Sequence, residues 1–198
     1  MGLDHYTEIS EDEFSEQYEG LIRGDIELYG TDSVFRVYEG DLSIEGDFDL
    51  DAELAKADTP HFGMVVRGNL EVGGVLKQDE ELVGGNMLFV LGDLHAYSIN
   101  KGAGAFVVQG DVRVDDTILA MEGDEGAFDV GGGVTAKTIC LFEGHWAPFE
   151  VSSGTLMHSR FQDAHLQYRD LEEVLPSGVA IRDLRARVNA RQPILAER

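Results

Sequence analysis

One phrase recurs through the middle of this 198-residue chain: apolar, any, apolar, any, Gly, Asp or Asn, apolar, any, apolar. It occurs first as Phe35-Arg-Val-Tyr-Glu-Gly40-Asp-Leu-Ser-Ile44, then as Met64-Val-Val-Arg-Gly68-Asn-Leu-Glu-Val72. It returns as Leu88-Phe-Val-Leu-Gly92-Asp-Leu-His-Ala96 and as Phe106-Val-Val-Gln-Gly110-Asp-Val-Arg-Val114. Phe128-Asp-Val-Gly-Gly132-Gly-Val-Thr-Ala136 is a degraded copy, and partial copies start at Gly24 and Gly46. The steps from glycine to glycine are 28, 24, 18 and 22 residues. Period-2 apolar segments mean strands with one face turned inward. Gly at the break supplies freedom for a bend, and Asp can bond nearby backbone. A third apolar segment follows each copy, at Val75-Leu76, Ser98-Ile99, Ile118-Leu119 and Thr138-Ile139. Three strands and their corners in about 18–24 residues make one rung of a parallel β-helix.

Stacking the rungs predicts inward columns. These are Met64, Leu88, Phe106, Phe128; Val66, Val90, Val108, Val130; Leu70, Leu94, Val112, Val134; and Val72, Ala96, Val114, Ala136. A fifth column joins Leu76, Ile99, Ile118 or Leu119, and Ile139, and every member of all five is apolar. A β-sandwich also suits short strands with Gly turns, but it does not explain recurrence at rung length. The predicted class is therefore mostly β: a right-handed parallel β-helix of about five to six rungs over residues 23–150. A capping helix over 1–22 precedes it, and a C-terminal helical segment over 151–198 packs on it.

The ends read as helical. Ser10 and Glu13 form a capping box, with Ile9 and Phe14 as a hydrophobic staple. Phe14, Tyr18, Leu21 and Ile22 then share a helical face. Phe161, Ala164, Tyr168, Leu171 and Leu175 follow helical spacing, and Ile181, Leu184 and Val188 make a second stripe after Pro176-Ser177-Gly178. The outward column Val65, Phe89, Val107, Asp129 is apolar enough to be the expected dock for the C-terminal helices. Leu54-Ala-Lys-Ala57 reads as one helical turn inside the 28-residue step.

Composition narrows the function classes. Lys and Arg number 15 against 38 Asp and Glu, a formal charge of −23. Residues 1–58 hold 18 acids and 3 bases, whereas 155–198 hold 6 and 7. Such a body repels phosphates and argues against nucleic acid. It can attract a basic protein partner, or simply serve solubility in a salty cytoplasm. No apolar run is long enough for a membrane-spanning helix. The start, MGLDHYTEISEDEF, does not read as a secretory signal, so a cytoplasmic location is expected. A single Cys140 excludes an internal disulfide framework and a thiolate zinc cluster.

The Gly-Asp-Leu rungs at Gly92 and Gly110 resemble uncharacterised bacterial right-handed β-helix proteins, over roughly residues 35–146. More loosely, the chain is similar to the polymer-forming bactofilins. The resemblance implies a fold and no established activity. In such relatives an acidic-acidic-His phrase follows the last rung, and Glu143-Gly144-His145 is its counterpart here. The helical caps argue against end-to-end stacking.

Candidate chemistry is sparse. Glu143, His145 and Trp146 could meet at one end of the tube and bind a metal or move a proton. The plainer reading is a corner histidine with Trp146 closing the core. Asp41, Asn69, Asp93 and Asp111 form a corner ladder about 4.8 Å per rung. At that spacing like charges repel by roughly 1 kcal/mol in water, so backbone donors must hold them. Beside it, Ser43, Glu71, His95, Arg113 and Thr135 form an outward column in which Glu71, His95 and Arg113 touch in order. This is a mixed-charge solvated face, or the floor of a shallow carbohydrate groove. No Walker motif, GxSxG elbow or HExxH spacing occurs. No cofactor is expected and no catalytic residue is assigned. The expected function is a non-enzymatic scaffold or protein-binding module, self-association included. The alternative is a carbohydrate-active or metal-dependent enzyme on the outer wall or at His145.

Overall fold

The computed structural model describes residues 3–18, 20, 33–56, 61–78, 86–120, 127–141, 150–158 and 181–194. The protein is mostly β, and the described strands form two sheets. The first sheet holds β1 (Thr7–Ser10), β2 (Val34–Tyr38), β5 (His61–Val66), β7 (Met87–Val90), β9 (Phe106–Val108) and β12 (Phe128–Val130), hydrogen-bonded in that order. The second holds β3 (Leu42–Ile44), β4 (Phe48–Asp49), β6 (Leu70–Lys77), β8 (Leu94–Lys101), β10 (Val112–Val114), β11 (Thr117–Ala120), β13 (Gly133–Leu141) and β14 (Glu150–His158). Every described pairing is parallel except β1 with β2. Helices α1 (Glu11–Tyr18), α2 (Leu50–Leu54) and α3 (Ile181–Asn189) complete the description.

Register follows the repeated phrase residue by residue. Met64 lies opposite Leu88, Leu88 opposite Phe106, and Phe106 opposite Phe128. Val66, Val90, Val108 and Val130 are successive neighbours in the same way. Leu70, Leu94, Val112 and Val134 do likewise in the second sheet, as do Leu76, Ile99, Ile118 and Ile139. All of these side chains are buried in one interior cluster. Each stack places like on like, so no charge enters the interior at these positions. Full burial of each Val or Leu is worth roughly 1.5–3 kcal/mol.

The first copy of the phrase sits one residue out of the expected phase. Arg36 pairs with Met64 and Tyr38 with Val66, so these two occupy the inward columns. Phe35 and Val37 instead belong to a second cluster with Val65, Phe89 and Val107, on the opposite face of the first sheet. Parity is counted from Gly40, and Phe35 lies five positions before it where Met64 lies four positions before Gly68.

Three further expectations change. The second and third segments of a rung run on as single strands in β6, β8 and β13; the corner survives as a register shift between Val72 and Val75 and as the break between β10 and β11. Strand β14 reaches His158, so residues 151–158 extend the second sheet where helix was expected. The one-turn helix lies earlier than Leu54–Ala57: Asp49 accepts a bond from the Ala52 amide at 3.0 Å and starts α2 at Leu50. Leu50 and Leu54 join the interior cluster, and Leu3, Tyr6 and Ile44 pack against it. Helix α2 thus packs against β4, β5 and β6, beside the first copy of the phrase.

The N-terminal capping box forms as read. The Ser10 amide donates to Glu13 Oε2 at 2.9 Å, and the Glu13 amide donates to Ser10 Oγ at 3.3 Å. Helix α1, described over Glu11–Tyr18, lies on the outer wall rather than over the end, and Leu21 and Ile22 lie outside the described residues. Phe14 stacks on Phe35 at 4.0 Å between ring centroids and meets Phe89 at 4.8 Å. Helix α1 thus lies over Val65 and Phe89, part of the wall expected to receive the C-terminal helices. Helix α3 packs instead on β6, β8 and β11. The predicted stripe 161–175 lies outside the described residues.

Candidate functional site

The corner ladder is the most regular polar feature. Asp41 Oδ1 accepts from the Asn69 amide, Asn69 Oδ1 from Asp93, Asp93 Oδ1 from Asp111, and Asp111 Oδ1 from Gly133, each at 2.8 Å. Each side chain thus receives one donor from the following rung, the help its charge requires. The ladder also explains the glycines. A Cβ on Gly92 would overlap Asn69 Oδ1 and the Gly68 backbone; a Cβ on Gly110 would overlap Asp93 Oδ1 and the Gly92 backbone. Positive φ occurs at Gly40 alone among the described glycines, so most corner glycines are needed for space rather than for backbone freedom. Asp41, Asp93 and Asp111 remain exposed.

Beside the ladder, Glu71, His95 and Arg113 are register neighbours on β6, β8 and β10. His95 Nδ1 lies 4.0 Å from Glu71 Oε1, and its Nε2 lies 3.2 Å from Asp115 Oδ1. Arg113 Nε is 4.0 Å from the same Asp115 oxygen, and Arg113 is largely exposed. The column therefore comes together, with Asp115 as a member that sequence spacing did not supply. Asp115 follows β10 at the corner, and its side chain turns back across the rung. Exposed pairs of this kind contribute about 0–1 kcal/mol each. Glu143, His145 and Trp146 lie outside the described residues. Among the described residues no group of three or more His, Cys, Asp or Glu could hold a metal ion.

Two buried polar groups were not anticipated. At the first-rung end Arg36 is 2% exposed. Its Nη1 donates to Glu53 Oε1 at 3.4 Å and its Nη2 to the Leu54 carbonyl at 3.3 Å. His61 Nδ1 is 3.5 Å from Nη2, while His61 Nε2 meets Glu8 Oε1 at 3.0 Å. The guanidinium also lies 4.8 Å over the Tyr6 ring. Tyr38 donates its hydroxyl to the Leu3 carbonyl, and burial raises its pKa. The signal was the phase of the first phrase: counting back from Gly40 puts Arg36 inside.

The second group is Lys101, fully buried at the end of β8. Its Nζ donates to the Gly102 carbonyl at 2.9 Å and lies 6.0 Å from the Phe106 ring centre. Burial pulls its pKa down to about 7, and among the described residues no carboxylate pairs with it. Alternation along β8, with Ile99 inward, places Lys101 inward as well. Cys140 is buried, and burial pushes its thiol up to about 12, which keeps it protonated and unreactive.

On the other side, Asp47 ties the C-terminal segment to the first rung. Its Oδ1 accepts from the Val75 amide at 2.9 Å and from Arg191 Nη2 at 2.8 Å; its Oδ2 accepts from Lys77 at 3.1 Å. Partial burial opposes its charge, but the Val75 amide, Arg191 and Lys77 outweigh it and hold the carboxyl at about 2. Arg191 also covers the Tyr97 ring at 5.5 Å. Family models, curated proteins and solved structures were compared with the chain, and none matches. No described helix is long and apolar enough to cross a membrane.

Proposed function

We propose that the chain is a right-handed parallel β-helix acting as a non-enzymatic scaffold, whose acidic corner binds a basic protein partner in the cytoplasm. In-register parallel pairing of the copies that begin at Met64, Leu88, Phe106 and Phe128 supports the β-helix reading. The observation that carries the binding reading is the corner ladder. Asp41, Asp93 and Asp111 are exposed, yet each has one oxygen fixed by the next rung's amide. A row of anions held at rung spacing loses little side-chain entropy on meeting Lys or Arg. The net charge of −23 adds long-range attraction for a cation.

Asn69 supplies the control, because it keeps the ladder bond without a charge. A triple variant, Asp41→Asn, Asp93→Asn and Asp111→Asn, is expected to stay folded. Titration with a lysine-rich peptide should give affinity about tenfold lower than for the unaltered chain, each factor of ten being about 1.4 kcal/mol. The unaltered chain should itself lose affinity between about 0.05 and 0.5 M salt. Affinity indifferent to both salt and the three substitutions would overturn the reading.

A further inference from the structure

Strand β1 is the only antiparallel partner among the described strands, and it sits on the outer edge of β2. Its side chains add little to the core: Thr7, Glu8 and Ser10 are exposed and Ile9 is half-buried. Helix α1 then lays Phe14 and Tyr18 over Phe35, Val37, Val65 and Phe89. Polar ties fasten the segment: Glu8 to His61, and Tyr18 and Gln17 to Arg67 at 2.9 and 2.8 Å. Residues 3–18 thus cover both an edge and an apolar wall.

What lies beneath is a strand of unusual pairing tendency. Val34-Phe-Arg-Val-Tyr38 is β-branched and aromatic with a single charge, the composition that drives an open edge to recruit another strand. The edge of β2 already accepts an antiparallel neighbour in β1. Two β2 edges related by a two-fold axis meet in that same sense, and the axis puts both bared walls on one continuous face.

We propose that residues 3–18 are an autoinhibitory strap, and that lifting it lets two copies of this chain join as a head-to-head dimer through antiparallel β2–β2 pairing. The strap is a guard against self-association built into the fold. This inference is independent of the acidic corner, which lies at the Gly-Asp bends and not on the β2 edge. Mutual repulsion of two bodies of charge −23 opposes the dimer, so salt favours it.

The test is made in the full chain with Phe14→Asp and Tyr18→Asp, which drive α1 off the wall. Light scattering reads mass, and hydrogen exchange reads residues 7–10 and 34–38. The mass is expected to double from 21.7 kDa, more completely at high salt. Residues 7–10 should then exchange freely while 34–38 stay protected. Adding Phe35→Lys and Val37→Lys should return the mass to that of one chain. A mass equal to that of the unaltered chain, with 34–38 exchanging freely, would sink the proposal. So would a doubled mass that the two lysines leave in place. Phe14→Ala is the milder lift if the double variant does not fold; it should dimerise in part, more at higher concentration, and the same two results decide against it.

Discussion

Lys101 is the side chain whose placement costs most. Its folded pKa of about 7 lies below the unfolded value of 10.5, so the folded state holds its proton less tightly. The cost is absent above about pH 10.5, grows as pH falls towards 7, and is constant below that. Its ceiling is near 5 kcal/mol at about 1.4 kcal/mol per pH unit. Lys101→Met should therefore raise stability at pH 7 by on the order of 2–4 kcal/mol, and the gain should vanish towards pH 10.5. Urea unfolding at the two pH values checks this, and a gain that does not depend on pH refutes it. At the corners the prediction runs the other way. Gly110→Ala pushes a Cβ into Asp93 Oδ1 and the Gly92 backbone, neither of which can retreat without breaking the ladder. A loss of at least about 2 kcal/mol is expected in the same assay. The Gly-Asp pairing was legible in the sequence; the reason for the glycine was not, because it depends on the preceding rung, 18 to 28 residues away.

Among the elements, α2 shows how a short helix can plug the interior. Leu50 and Leu54 enter the core, while Glu53 on the same turn reaches Arg36. Removing Glu53 takes the carboxylate away from the buried Arg36 guanidinium, whereas removing Arg36 leaves Glu53 its bond from Lys56 Nζ at 2.6 Å, so Glu53→Leu should cost about 3–5 kcal/mol and Arg36→Met clearly less. The double variant should cost clearly less than the two losses added together, and equality between them would refute the coupling. Helix α3 depends on Asp47 in a different way. Because the folded pKa of Asp47 is depressed, its contribution is complete above about pH 3.8 and is lost as pH falls towards 2. Asp47→Asn should free residues 181–194 to faster hydrogen exchange at pH 7, with β6 and β8 still protected. The capping box of α1 could be read from four residues, since its bonds are local. The dock of each helix could not. Val65, Phe89 and Val107 mark an apolar wall, but sequence does not say which terminus is near enough to cover it.

For the whole molecule, charge sets the conditions under which the fold holds. With −23 spread over one small body, self-repulsion weakens the compact state. Raising salt from about 0.05 to 0.5 M should lift Tm by about 5 °C, and an unchanged or lower Tm would count against this. The inward columns could be written down before any coordinates, since strand parity and a fixed Gly-Asp landmark define each position from its nearest neighbours. The first copy is harder to place, because Phe35 and Val37 offer an equally apolar alternation one residue from Arg36 and Tyr38, which pair with Met64 and Val66. Contacts between distant segments had no such local rule: Glu8 with His61, Arg191 with Asp47, and Phe14 with Phe89 join residues that no period relates. Strand register follows from repeated short-range pattern, whereas the seating of the terminal segments follows from which surfaces the paired sheets leave apolar, and that is a property of three dimensions alone.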